Sequence, residues 1–109
     1  MAGFFQRLKE SRKIRKQMNA ELAQNSAELE STLKQIHDEY TNDCCKRLDE
    51  FTKALAGAGG IDTEEADQIT ERAEREANRA QMLVENRINE AKEDSTRKAQ
   101  QIIAKYQTR

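Results

Sequence analysis

The residues best suited to metal binding or nucleophilic chemistry are few. The chain has one histidine, His37, and two adjacent cysteines, Cys44 and Cys45. A zinc site takes three or four such ligands. His37 and Cys44 stand seven residues apart, on one side of a helix, and supply at most two. No Cys-x-x-Cys, His-Glu-x-x-His or Glu-x-x-His spacing occurs, so no metal is expected. The one glycine cluster leads into Ile61-Asp62 rather than Lys-Ser or Lys-Thr, so it is not a phosphate loop. The carboxylates pair with bases one helical turn on: Glu30 with Lys34, Asp49 with Lys53, Glu71 with Arg75, Glu93 with Arg97 and Asp94 with Lys98. Such i, i+4 pairs mark solvated helix faces. These observations predict a protein that is not an enzyme and uses no cofactor.

A different kind of site is written into the N-terminus. Residues 1–17 hold Arg7, Lys9, Arg12, Lys13, Arg15 and Lys16 against Glu10 alone, a net charge of +5. The whole chain is at −1, so the remainder sums to −6. Among these bases sit Phe4, Phe5 and Leu8, which include two of the three phenylalanines. On a helix these three share a face, and most of the basic residues flank or oppose it. Phe4, Phe5, Leu8, Arg7, Lys9, Arg12, Lys13 and Lys16 are therefore expected to bind a partner. A protein groove takes the apolar anchors. An anionic membrane surface takes both the anchors and the charge. Nucleic acid uses the charge and leaves the phenylalanines idle, so it is disfavoured.

What must position this segment follows from composition. Of 109 residues 36% are charged and 5% aromatic, with no proline. Ala, Glu, Lys, Arg, Gln and Leu dominate, which favours long helices and leaves too little apolar surface for a sheet core. No apolar run approaches the roughly 20 residues that cross a bilayer. The apolar start is shorter than a signal-peptide core, and glycine at position 3 misses the myristoylation pattern. Two cysteines make no disulfide framework. A cytoplasmic location is expected, at a membrane surface if lipid is the partner.

One break interrupts the helical pattern, Ala56-Gly57-Ala58-Gly59-Gly60. Asp62 and Glu65 beyond it have the spacing of a capping box. Glu64, Glu65 and Asp67 suit the positive end of a helix dipole, as Lys105 and Arg109 suit the other end. Helix 1 is predicted over about 3–56 and helix 2 over about 63–108, the latter about 65–70 Å long. The organisation is a basic extension at 1–16, hairpin arms at 17–56 and 62–109, and a turn at 57–61.

Apolar residues recur every 11 positions. Helix 1 carries Met18, Leu29, Tyr40, Phe51; Leu22, Leu33, Cys44, Leu55; and Ser26, His37, Leu48. Helix 2 carries Ala66, Ala77, Ile88, Ala99; Ile69, Ala80, Ala91, Ile102; and Ala73, Val84, Ser95, Tyr106. Eleven residues in three turns is close to the relaxed helix, so the seam runs nearly straight. The fold class is all-α: a long antiparallel two-helix hairpin, a straight coiled coil with an 11-residue repeat. Folding back between Ala58 and Gly59 faces Phe51 with Ala66, Leu48 with Ile69, Cys44 with Ala73, His37 with Ala80 and Leu22 with Ser95. Helix 2 then runs out near Leu8, leaving residues 1–10 unpaired. His37 on the seam would act as a pH-sensitive element.

Two helices bury one narrow stripe each. Ile36, Met82, Leu83 and Ile103 flank the seam and are expected to form an oligomer interface, making a helical bundle or docking the hairpin into a larger assembly. The expected function is a structural or adaptor coiled-coil subunit mediating protein–protein assembly, docked by its N-terminal segment. The alternative is a peripheral membrane protein binding anionic lipid through residues 1–16.

Overall fold

A computed structural model describes residues 2–107. Met1, Thr108 and Arg109 lie outside the described residues, and so does the expected role of Arg109 at the helix end. The described residues form two helices: α1, Ala2–Ala56, and α2, Glu64–Gln107. No strand occurs among the described residues. The result is the antiparallel helical hairpin that the composition and the single glycine break demand.

Two compact units divide it. One joins residues 1–32 to 90–109; the other spans 33–89 and contains the turn. In the first, α1 and α2 run antiparallel, because Asn25 meets Ser95 while Glu21, earlier in the chain, meets Lys105. In the second, the turn reverses the chain and Arg87 reaches back to Glu39.

Burial on α1 follows the 11-residue repeat. Met18, Leu29, Tyr40 and Phe51 are half-buried, and so are Leu22, Leu33, Cys44 and Leu55. The third column sits one residue earlier than expected. Asn25 and Ile36 are buried, and Ile14 and Arg47 are half-buried, whereas Ser26, His37 and Leu48 are exposed. Ile36 is only 3% exposed and belongs to the seam, so it is not available as an oligomer contact. His37 is exposed and lies off the seam, where Ile36 takes the position expected of it. Leu48, apolar but 64% exposed, misled the column assignment. Arg47 fills the seam position because its aliphatic stem packs while its guanidinium reaches Asp43 Oδ2 at 2.9 Å. On α2 the expected columns hold except at Ala77, which is exposed.

The register also differs. Asn25, three residues beyond Leu22, takes the place opposite Ser95: its Nδ2 donates to the Ser95 carbonyl at 2.9 Å and to Ser95 Oγ at 3.3 Å. In the turn-containing unit, Phe51 lines one groove with Ile69, and Arg47 with Ala73. The shift arises at the turn, which is longer than expected. Gly57 and Ala58 still donate to carbonyls of the last helical turn, those of Lys53 and Leu55. Gly59 and Gly60 then adopt φ of 79° and 145°, which a side chain would strain. Helix α2 is capped by Thr63, not Asp62: Thr63 Oγ1 accepts from the Ala66 amide at 3.1 Å and donates to the Gly60 carbonyl. With Ala66 at the third helical position, Glu65 has no place in a reciprocal capping box. Ala58 and Ala66 are both buried at this end.

Candidate docking site on the first turns of helix 1

Helix α1 begins without an acidic residue in its first turn, so no carboxylate offsets its dipole or the basic charge there. Residues 3–13 are all exposed, and Ile14 is the first seam position with partial burial. The basic extension therefore gives way to hairpin at Ile14.

Phe4 and Phe5 stay in solvent at 62% and 61% exposure. Their rings meet edge to face, with centroids 5.8 Å apart and planes at 70°. Such an arrangement orders the rings relative to each other without hiding them. Leu8 follows one turn after Phe4 and is also exposed. Arg7, Lys9, Arg12, Lys13 and Lys16 are exposed around them, as is Arg15. The three apolar residues and their cations thus lie together on the first three to four turns of one helix.

The other expected contacts are dispersed. Met82, Leu83 and Ile103 are exposed, with Met82 and Leu83 in the turn-containing unit and Ile103 in the other.

Around Cys44 a small cluster forms within α1. Arg47 Nη2 donates to Cys44 Sγ at 3.4 Å. The thiol beside Tyr40 pushes that phenol's pKa up, and burial adds to the effect. Cys44 and Cys45 are both free thiols, half-buried and exposed respectively. Among the described residues no group of three or more metal-ligating side chains occurs.

Sequence reasoning missed Asn25, Arg47 and Thr63. The 11-residue spacing from Ile14 through Asn25, Ile36 and Arg47 to Ala58 was the available signal, and Ile36 its clearest member. Glu28, Ser31, Thr32, Asp94 and Lys98 line the shallow groove next to Asn25, together with Leu29 and Ala91. No helix of the described residues is long and apolar enough to cross a membrane. No family model, no curated protein and no solved structure matches the chain.

Proposed function

We propose that the chain is a non-enzymatic structural or adaptor module, in which the helical hairpin presents the first turns of α1 as a docking element. The observation that carries this reading is the contrast within α1 itself. From Ile14 onward the helix hides a regular stripe, whereas residues 3–13 leave two phenylalanines and a leucine exposed amid cations. Apolar side chains that the hairpin does not use are best accounted for by an external partner.

Self-association into a bundle belongs to this proposal in reduced form. Ile36 no longer contributes, and outside the first turns of α1 the exposed Leu48, Ile61, Met82, Leu83 and Ile103 remain to cover.

The test is fractionation of native extracts by size and by sedimentation. The unaltered chain should travel with a large assembly or a particulate fraction. The triple variant Phe4→Ala/Phe5→Ala/Leu8→Ala should move to the position of the isolated hairpin while keeping its helical circular dichroism. An unchanged distribution would remove the docking role from this segment.

A further inference from the structure

We propose that the first turns of α1 form an interfacial helix that lies on an anionic lipid surface, with Phe4, Phe5 and Leu8 entering the acyl boundary and Arg12 and Arg15 on lipid phosphates. The proposal rests on the docking reading above and names its partner.

The phase of the helix separates this surface from the hairpin. The buried positions Met18, Leu22 and Asn25, carried back by the 11-residue spacing, arrive at Arg7, Ser11 and Ile14. Ile14 is the last apolar residue on that line; Arg7 and Ser11 are polar. Phe4 and Leu8 stand one residue to the side of it. The aromatic stripe is therefore not an unfilled stretch of seam. A longer second helix, or one from another copy in the same register, would face Arg7 and Ser11 instead.

The stripe's own composition then selects the partner. Phe4, Leu8, Arg12 and Arg15 follow at i, i+4, i+8 and i+11, one line along the helix that begins apolar and continues cationic. Phe5, Lys9 and Lys16 repeat the pattern one residue over, at i, i+4 and i+11. Glu10, the one carboxylate among residues 1–17, is two residues from Leu8 and so points about 200° away from it. The face that carries the aromatics thus carries cations and no acid.

A protein groove that takes an amphipathic helix reads anchors at i, i+3 or i+4, and i+7. Here the i+7 positions from Phe4, Phe5 and Leu8 are Ser11, Arg12 and Arg15. The apolar residues end at Leu8, and a desolvating groove that followed the helix onward would bury two guanidinium groups. A bilayer surface makes no such demand. It accepts a short apolar patch at the acyl boundary with arginines at the depth of the phosphates. Three apolar residues insert weakly, so binding is reversible and depends on negative headgroup charge.

Co-sedimentation of the full chain with vesicles tests this. One set is phosphatidylcholine alone; the other includes about a third phosphatidylserine. Binding is expected to the second set and not the first, and to weaken as salt rises. Phe4→Ala/Phe5→Ala should lower the partition coefficient by about tenfold or more at unchanged helicity. Arg12→Gln/Arg15→Gln should lower it too and flatten its salt dependence. Equal binding to both vesicle sets overturns the proposal, as does wild-type binding by the phenylalanine variant. Failure to bind the anionic vesicles at low salt also overturns it, and so does salt-dependent retention on duplex DNA that ignores the phenylalanines. If vesicles are ignored yet the extract distribution still depends on Phe4, Phe5 and Leu8, the lipid partner fails and the docking reading stands. If neither responds, both fail.

Discussion

Helix α1 runs through two environments with one backbone conformation. Between Ile14 and Leu55 one stripe of side chains is buried or half-buried against α2, and its members include Asn25 and Arg47. Between residues 3 and 13 nothing is buried, although that stretch includes two phenylalanines. Burial in this molecule therefore tracks position relative to the partner helix more than side-chain hydropathy. Polar residues go inside where the seam passes, and the aromatic residues stay outside where it does not. Stability and binding should accordingly reside in separate parts of one helix.

The sharpest way to break that comparison is to delete apolar surface on each side of Ile14. Ile36→Ala should cost about 2–4 kcal/mol, the range for an aliphatic residue cut back in a packed site. On a domain of this size that lowers the melting temperature by roughly 10 °C or more. Phe4→Ala/Phe5→Ala removes more apolar surface and should change stability by no more than about 0.5 kcal/mol. Thermal denaturation followed by circular dichroism compares them directly. A destabilisation from the phenylalanine pair rivalling that of Ile36→Ala would mean that the first turns pack within the folded protein.

Asn25 sharpens the comparison from inside the seam. Its amide donates twice to Ser95, in the line that also holds Ile14, Ile36 and Ala58. A polar residue at such a position lowers stability and fixes register, as buried asparagines do in coiled coils. Asn25→Leu should raise stability by about 1 kcal/mol, since the Ser95 carbonyl retains its helical amide and no buried group is orphaned. The same change should loosen alignment. In a Cys44→Ser/Cys45→Ser background, Leu29→Cys with Ala91→Cys reports the native register, because these residues line one groove. Leu29→Cys with Ile88→Cys reports the register three residues away. Only the first pair should crosslink when Asn25 is present, and both when it is leucine. Crosslinking confined to the first pair in each background would remove the register role.

The turn offers a smaller effect with a clear control. Thr63→Ala removes the hydroxyl that accepts from Ala66 and should cost about 1 kcal/mol. Asp62→Ala, at the neighbouring position, should stay within about 0.5 kcal/mol. The opposite order in urea denaturation would place the cap at Asp62 after all.

The legibility of the sequence follows the same division. The hairpin, the helix ends to within a residue or two and two of the three seam columns on α1 could be read, because a period of 11 survives single substitutions. The third column could not, since Arg47 is half-buried and Asn25 buried for reasons of stem packing and pairing that hydropathy does not encode. Leu48 supplied an apolar decoy one place along. The register slipped with the turn: glycine marks where a chain can reverse, but Thr63 decides where the next helix starts. The placement of the N-terminal residues along one helix could be read, because it depends on one helix alone. Ile36 could be assigned to an oligomer face only while the third column was misplaced.

The smallest effect tests whether charge on the hairpin's flank matters at all. Glu39 Oε2 accepts from Arg87 Nη1 at 2.8 Å across the two helices of the turn-containing unit. The Arg87 hydrogen bond, helped by Gln35, holds the Glu39 carboxyl below its ordinary value. A depressed carboxylate stabilises the fold at pH values above its unfolded pKa. That contribution is lost as pH falls through the lower folded value. Glu39→Gln should therefore melt slightly below wild type at neutral pH and together with it in strong acid. Salt should shrink the gap, because both side chains are about half exposed. A gap for Glu39→Gln that persists in acid would mean that shape or the Gln35 contact, rather than charge, is what this position contributes to the seam.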